Sequence, residues 1–201
     1  MSNTLMAHTP KAATVPGYRK HTISLLVANR PGVLIRVSLV FARRGYNLDS
    51  VVVSPSRDEA YSMMNIVATG NEKTLDQILK QLNKLIDVVH ATDRTGEDIL
   101  QRELALVKMA CPPSQRSEVL QLAHALECET VDMTGENIIL QLTGSSDRLD
   151  SVINVLQSYD ILELIRTGKV LMTRGSQLTA WRNGKRHGQG NGQGNGQGAH
   201  T

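Results

Sequence analysis

Aromatic residues are few in this chain: one Phe, one Trp and four Tyr among 201 residues. Nucleic-acid faces stack bases on rings set among basic side chains, and little here can serve that purpose. Cysteine is scarcer still. Cys111 and Cys128 are not closely spaced, which argues against a disulfide framework or a zinc knuckle and for a reducing, cytoplasmic setting. No apolar run approaches the roughly 20 residues of a spanning helix, and the first twenty residues lack the apolar stretch of a secretory signal. Neither membrane insertion nor secretion is expected. Acids are missing from both ends: residues 1–20 carry Lys11, Arg19 and Lys20, and residues 182–201 carry Arg182, Lys185 and Arg186. Setting those six aside turns the formal charge of +3 into −3 for the stretch between. The pI near 9.0 therefore belongs to the termini, and no nucleic-acid partner is expected.

Catalytic motifs are also wanting. His8, His21, His90, His124, His187 and His200 are scattered, and none makes a metal spacing with an acid or a cysteine. There is no Gly-x-Ser-x-Gly elbow and no phosphate loop ending in lysine, and Gly168, Gly175 and Gly184 are too dispersed for a dinucleotide fingerprint. No catalytic residue and no metal site is expected on this chain.

What is present is a chain with 40% hydrophobic residues, long enough for one ordinary domain or two small ones. Its organising stretch is Asn29-Arg30-Pro31-Gly32-Val33-Leu34. Upstream, Thr22 to Ala28 is apolar and reads as a largely buried strand. Downstream, Val33, Leu34, Val37, Val40 and Phe41 recur at helical spacing, with Gly45 as a C-terminal stop. Pro31 suits the first helical position, with Asn29 or Arg30 as the cap. The first-turn N–H groups and the positive end of the helix dipole favour an anion such as a carboxylate, and Gly32 has no side chain to block its approach. The plainer reading is a Pro-Gly turn and nothing more.

The rest of the chain extends this start. Tyr46 to Ser54 and Tyr61 to Thr69 read as a hairpin. Asn71 caps a helix bearing Leu75, Ile78, Leu79 and Leu82 on one face, and Ile86 to Ala91 makes a fourth strand. After the polar joint at Asp93 to Asp98 the same order recurs: a strand over Glu103 to Ala110 and a helix capped by Ser114 with Val119, Leu122, Ala123 and Leu126 inward. A hairpin follows over Cys128 to Met133 and Asn137 to Thr143. Then come a helix opened by Ser145 or Ser146, and closing strand over Ile161 to Arg166 and Lys169 to Thr173, interrupted at Gly168. The fold class is α+β, two ferredoxin-like βαββαβ domains in tandem. Residues 1–20 form a flexible leader, 21–96 and 97–176 the two domains, and 177–201 a Gly-rich disordered tail that alternates Gly with Gln or Asn.

The run Ile23 to Leu34, followed by Arg36-Val37, Phe41, Arg43-Arg44-Gly45-Tyr46-Asn47-Leu48 and Ser50, resembles the small, regulatory subunit of acetohydroxyacid synthase, also called acetolactate synthase. The likeness continues at Glu72-Lys73, Gln81-Leu82, Lys84-Leu85, Arg102 to Lys108, Gln141 to Gly144 and Arg166-Thr167-Gly168, spanning roughly residues 21–176. It implies that the first domain is an ACT domain. It implies a non-catalytic subunit that stimulates a catalytic large subunit condensing two pyruvates, or pyruvate with 2-oxobutanoate, and that confers feedback inhibition by branched-chain amino acids, valine foremost. Thiamine diphosphate, FAD and magnesium belong to that partner, and no cofactor is expected here. The effector is implied to sit between two ACT domains of a homodimer. Asn29 and Gly32 would then hold it, Val33 and Leu34 would lie beside it, and Asn47 and Leu48 would come from the neighbouring protomer. Spacing alone also reads Leu34 as a core residue and Asn47 as a turn residue at a strand start. A stand-alone amino-acid sensor acting on a different partner would use the first domain in the same way.

Overall fold

The computed structural model describes residues 18–176 and Thr179; the leader up to residue 17 and the rest of the tail, Trp181 included, lie outside the described residues. Alternation in the first apolar run sends Ile23, Leu25 and Val27 into one core. These belong to β1 (Tyr18–Ala28), which begins three residues inside the stretch assigned to the leader. Then follow α1 (Val33–Ala42), β2 (Asn47–Pro55), β3 (Tyr61–Asn71), α2 (Glu72–Leu82) and β4 (Val88–Asp93). The sheet is antiparallel in the order β2-β3-β1-β4. Val33, Val37, Val40 and Phe41 of α1 and Leu75, Ile78 and Leu82 of α2 pack on the Ile23, Leu25, Met64 and Ile66 face. This is the ferredoxin-like sandwich expected from the order of elements.

The order repeats in β5 (Ile99–Ala110), α3 (Arg116–Ala125), β6 (Glu129–Met133), β7 (Asn137–Gly144), α4 (Ser146–Leu156), β8 (Ile161–Arg166) and β9 (Val170–Thr173). The second sheet runs β6-β7-β5-β8, and β9 pairs with β5 beyond that path. β5 is longer than its sequence suggested: residues 105–109 pair with β8, and Ile99 to Arg102 pair with β9. Gly168, left-handed at φ +84°, lets the closing strand pass from one stretch of β5 to the other.

Several local expectations needed correction. Pro31 is not the first helical residue, nor are Asn29 and Arg30 caps. Gly32 takes the cap position at φ 82°, ψ −5°, and Val33 N–H donates to Arg30 O at 3.4 Å. That is a type II turn with Pro at its second position and Gly at its third, a geometry that a proline φ serves as well as a helix start does. α3 is capped at Gln115, without a side-chain bond, rather than at Ser114. Ile86 is 98% exposed and precedes β4. Asn71 and Ser145 do cap α2 and α4, their side chains accepting from Lys73 N–H and Arg148 N–H.

The two units touch. An ideal Cβ on Gly168 would stand 2.9 Å from Ser50 Cβ and 3.1 Å from Val52 Cγ2, so the turn before β9 lies directly on β2. Thr22, Ser24 and Leu26 point away from the helices yet are buried, and Ser24 Oγ donates to Asn65 Oδ1 at 2.9 Å.

Candidate functional site

β1 ends at Ala28, whose N–H donates to Asp87 O at 2.8 Å, and Asn29 N–H donates to Ala60 O at 2.8 Å. The Asn29 amide also donates through Nδ2 to Glu59 O at 3.1 Å. The β2–β3 loop therefore steadies the point where the chain leaves the sheet. The type II turn then opens α1. Arg36 N–H donates to Gly32 O at 3.1 Å and Val33 N–H to Arg30 O at 3.4 Å, which leaves the N–H groups of Leu34 and Ile35 as the first-turn donors without a backbone acceptor among the described residues. These donors and the positive end of the helix dipole lie at the Gly32 end of α1.

The neighbouring residues divide by direction. Val33 is 4% exposed and belongs to the core, whereas Leu34 is 47% exposed, so the core reading of Leu34 is overturned. A side chain on a helix leans toward the N-terminal turn, which explains the position of Arg36. Its Nη1 would lie 3.2 Å from a Cβ on Gly32, and its Nε donates to Asp87 Oδ2 at 2.7 Å. Sequence reading left Arg36 out of the site. Its spacing from Gly32, one helical turn, was the available signal; its partnership with Asp87, 51 residues away, left none.

Asn47 and Leu48 stand elsewhere. Asn47 is exposed at the start of β2, its Nδ2 donating to Asp49 Oδ1 at 2.8 Å, and Leu48 is half-buried against the first core. In register, Asn47 lies opposite Thr69 and Ala28 opposite Tyr61. Eight residues of β3 separate those rows, about 27 Å at about 3.4 Å per residue. One chain thus brings Asn29, Gly32, Val33 and Leu34 together and keeps Asn47 and Leu48 at the other end of the sheet.

Behind Asn47, Tyr46 is buried over Gly70, where an ideal Cβ would stand 2.2 Å from Tyr46 Cζ. The Tyr46 hydroxyl donates to Asn71 O, and burial raises its pKa above 10.0. In the second unit, Glu103 accepts from Ser146 Oγ and from Arg166 Nε and Nη2, and Arg166 also donates to Asp150. Burial alone would lower the Arg166 pKa; the bonds to Asp150 and Glu103 outweigh it and raise it. Among the described residues, no three His, Cys, Asp or Glu side chains are grouped so that they could hold a metal, and no helix is long and apolar enough to cross a membrane.

Comparison with known proteins resolves the family. A model described as the AHAS small subunit-like ACT domain matches residues 23–90, and one described as the small subunit of acetolactate synthase matches residues 102–175. The acetolactate synthase small subunit of Bacillus subtilis is 38% identical over 165 residues, covering 82% of this chain and 96% of the relative. The chain belongs to the acetolactate synthase small-subunit family. A small subunit from Mycolicibacterium smegmatis is 36% identical over 159 residues, covering 79% and 94% of the two chains. Among solved structures, the acetolactate synthase small subunit of Thermotoga maritima matches with a TM-score of 0.70 at 35% identity, covering 79% of this chain and 99% of that one. The ACT match spans β1 to β4 and includes the Asn29 to Leu34 loop, and the second match spans most of β5 through β9.

Proposed function

We propose that this chain is the regulatory subunit of acetolactate synthase: it stimulates a catalytic large subunit and makes it subject to feedback inhibition by a branched-chain amino acid, valine foremost. Identity of 36% and 38% to acetolactate synthase small subunits, across 94% and 96% of their lengths, carries the reading. Residues 21–96 act as the effector-binding ACT domain and 97–176 as the second domain, with the tail beyond Ser176 dispensable for activation and inhibition. The catalytic partner supplies thiamine diphosphate, FAD and magnesium, and the assembly works in the cytoplasm.

The effector site is shared between two copies. β2 is the outer strand of its sheet. Pairing two β2 strands antiparallel about a two-fold axis sets Asn47 and Leu48 of one copy at the Pro55 end of the other. Pro55 lies opposite Ser62, which lies opposite Val27, so that is the end from which the Asn29 to Leu34 loop departs. Helix-start N–H groups take the carboxylate, an asparagine carbonyl accepts from the ammonium group, and Leu34 covers the isopropyl group. Ligand that favours one seating of the two copies shifts the population of the regulatory dimer.

Synthase assays of the catalytic chain, with and without this one and across a valine series, test the proposal. Stimulation that declines with valine is expected, together with copurification of the two chains. Turnover by this chain alone, or no effect on the catalytic chain, would overturn it.

A further inference from the structure

We propose that Arg36 is the counter-charge for the effector carboxylate, held in a ligand-ready position by Asp87. The inference rests on the effector-site reading above and names a residue that neither the Asn-x-x-Gly loop nor the strand-start asparagine includes.

The geometry carries it. Arg36 presents two donor edges, and Asp87 occupies one: Nε donates to Asp87 Oδ2 at 2.7 Å. The Asp87 side chain is only 11% exposed, and the same residue's backbone carbonyl accepts from Ala28 N–H. The anchor is thereby tied to the end of β1, where the loop begins. Nη1, at the other edge, sits 3.2 Å from where a Cβ on Gly32 would be, over the opening of α1. The Arg36 side chain remains 45% exposed, open to a ligand from solvent. A carboxylate arriving at the first-turn N–H groups meets Nη1 as well, and a guanidinium suits carboxylate recognition because its donors are fixed in a plane.

Charge balance supports the assignment. Arg36 and Asp87 cancel, so a zwitterionic amino acid enters without leaving net charge in the site, whereas an amine lacking the carboxylate would leave Nη1 without its partner. Gly32 suits the site on two counts: its φ of 82° favours glycine, and a Cβ there would press on Nη1 at 3.2 Å.

The test compares valine with L-valinamide, which keeps the ammonium and isopropyl groups but has a neutral amide for the carboxylate. Both are titrated by calorimetry against the full chain, as wild type, Arg36→Gln, Arg43→Gln and Gly32→Asp. Wild type is expected to prefer valine strongly. Arg36→Gln should weaken valine about ten- to a hundredfold without weakening valinamide, closing the gap between them. Arg43→Gln, which removes one positive charge beyond the far end of the same helix, should change neither. A purely structural role for Arg36 predicts equal weakening of both ligands, and that result overturns the inference. So does unchanged valine affinity in Arg36→Gln when Gly32→Asp has lost it, an outcome that leaves the effector site itself standing. Unchanged affinity in both variants removes the site and the inference together. Should Arg36→Gln fail to fold, Arg36→Lys carries the test: it keeps the positive charge, so valine should stay preferred over valinamide, and equal affinity for the two ligands overturns the inference.

Discussion

The two units share one order of elements but finish their first strand-to-helix junctions in opposite ways. In the first, a left-handed Gly32 opens α1 with Arg36 Nη1 beside it. In the second, Pro112 and Pro113 lead to a cap at Gln115 with no left-handed residue, and Arg116 reaches across to donate to Thr134 O and Gly135 O. Four residues into the helix, where α1 has Arg36, α3 has Val119, fully buried. The outer strands differ as well: β2 has nine residues and β6 has five, all exposed. A ferredoxin-like scaffold does not by itself make a site. One turn residue and one side chain at the helix start distinguish the two junctions.

The sharpest way to break this contrast is Gly32→Asp. The new carboxylate would lie beside Arg36 Nη1 and occupy the place proposed for the effector's own. Valine binding should fall beyond about 150-fold, matching loss of a charged contact worth more than about 3 kcal/mol. The left-handed backbone adds a stability cost of about 1 kcal/mol, small enough for the fold to survive. The matching change in the second unit, Gln115→Asp at the α3 cap, should leave valine binding unaltered. Calorimetry with a circular-dichroism melt reads both. If Gly32→Asp binds valine as wild type does, the first junction is as inert as the second.

Asn47→Ala should act more gently, because it removes one polar contact to a charged ligand. The expected loss is about 1.5 to 3 kcal/mol, or about 10- to 150-fold in valine affinity, without a change in melting temperature.

Two glycines at equivalent positions sharpen the comparison in stability rather than binding. Gly70 and Gly144 each stand one residue before a helix cap, Asn71 and Ser145. A Cβ on Gly70 meets the buried Tyr46 ring at 2.2 Å, whereas one on Gly144 meets the flexible Arg148 side chain at 2.7 Å. Gly70→Ala should cost about 1 to 3 kcal/mol, while Gly144→Ala should cost less than about 1 kcal/mol. Urea melts of the two variants decide it, and equal midpoints would erase the difference.

The smallest effect concerns pH. Burial raises the Tyr46 pKa above its ordinary 10.0, so the unfolded chain loses this proton first. The resulting contribution to stability is complete below pH 10 and declines as pH rises through the raised value. Tyr46→Phe should flatten that alkaline limb of a melting-temperature profile, and an unchanged limb would assign it to another group.

Much of this was legible in the sequence where the signal was local. Helical spacing placed Val37 and Phe41, and Ile78 and Leu82, in the first core, and Asn71 and the Ser145-Ser146 pair announced their helices because a short acceptor side chain, in α4 that of Ser145, reaches a first-turn N–H. Pro31 misled because its fixed φ fits a type II turn as well as a first helical residue. Leu34 misled because one helical turn cannot tell the rim of an apolar face from its centre. Arg36 with Asp87, Tyr46 over Gly70, and Gly168 against Ser50 and Val52 were not legible, since each joins residues far apart in the chain.

The separation of Asn29 from Asn47 along β3 has a consequence for mixed assemblies. In the proposed dimer each copy lends a different half to each of two sites. A copy carrying Gly32→Asp paired with one carrying Asn47→Ala therefore gathers both lesions into one site and leaves the other with wild-type residues. Two separately insensitive strains would complement each other: random mixing in equal amounts restores about a quarter of all sites, from the mixed dimers alone. Two different lesions within the Asn29 to Leu34 loop restore none, so genetic complementation can map the division of the site without a ligand ever being seen.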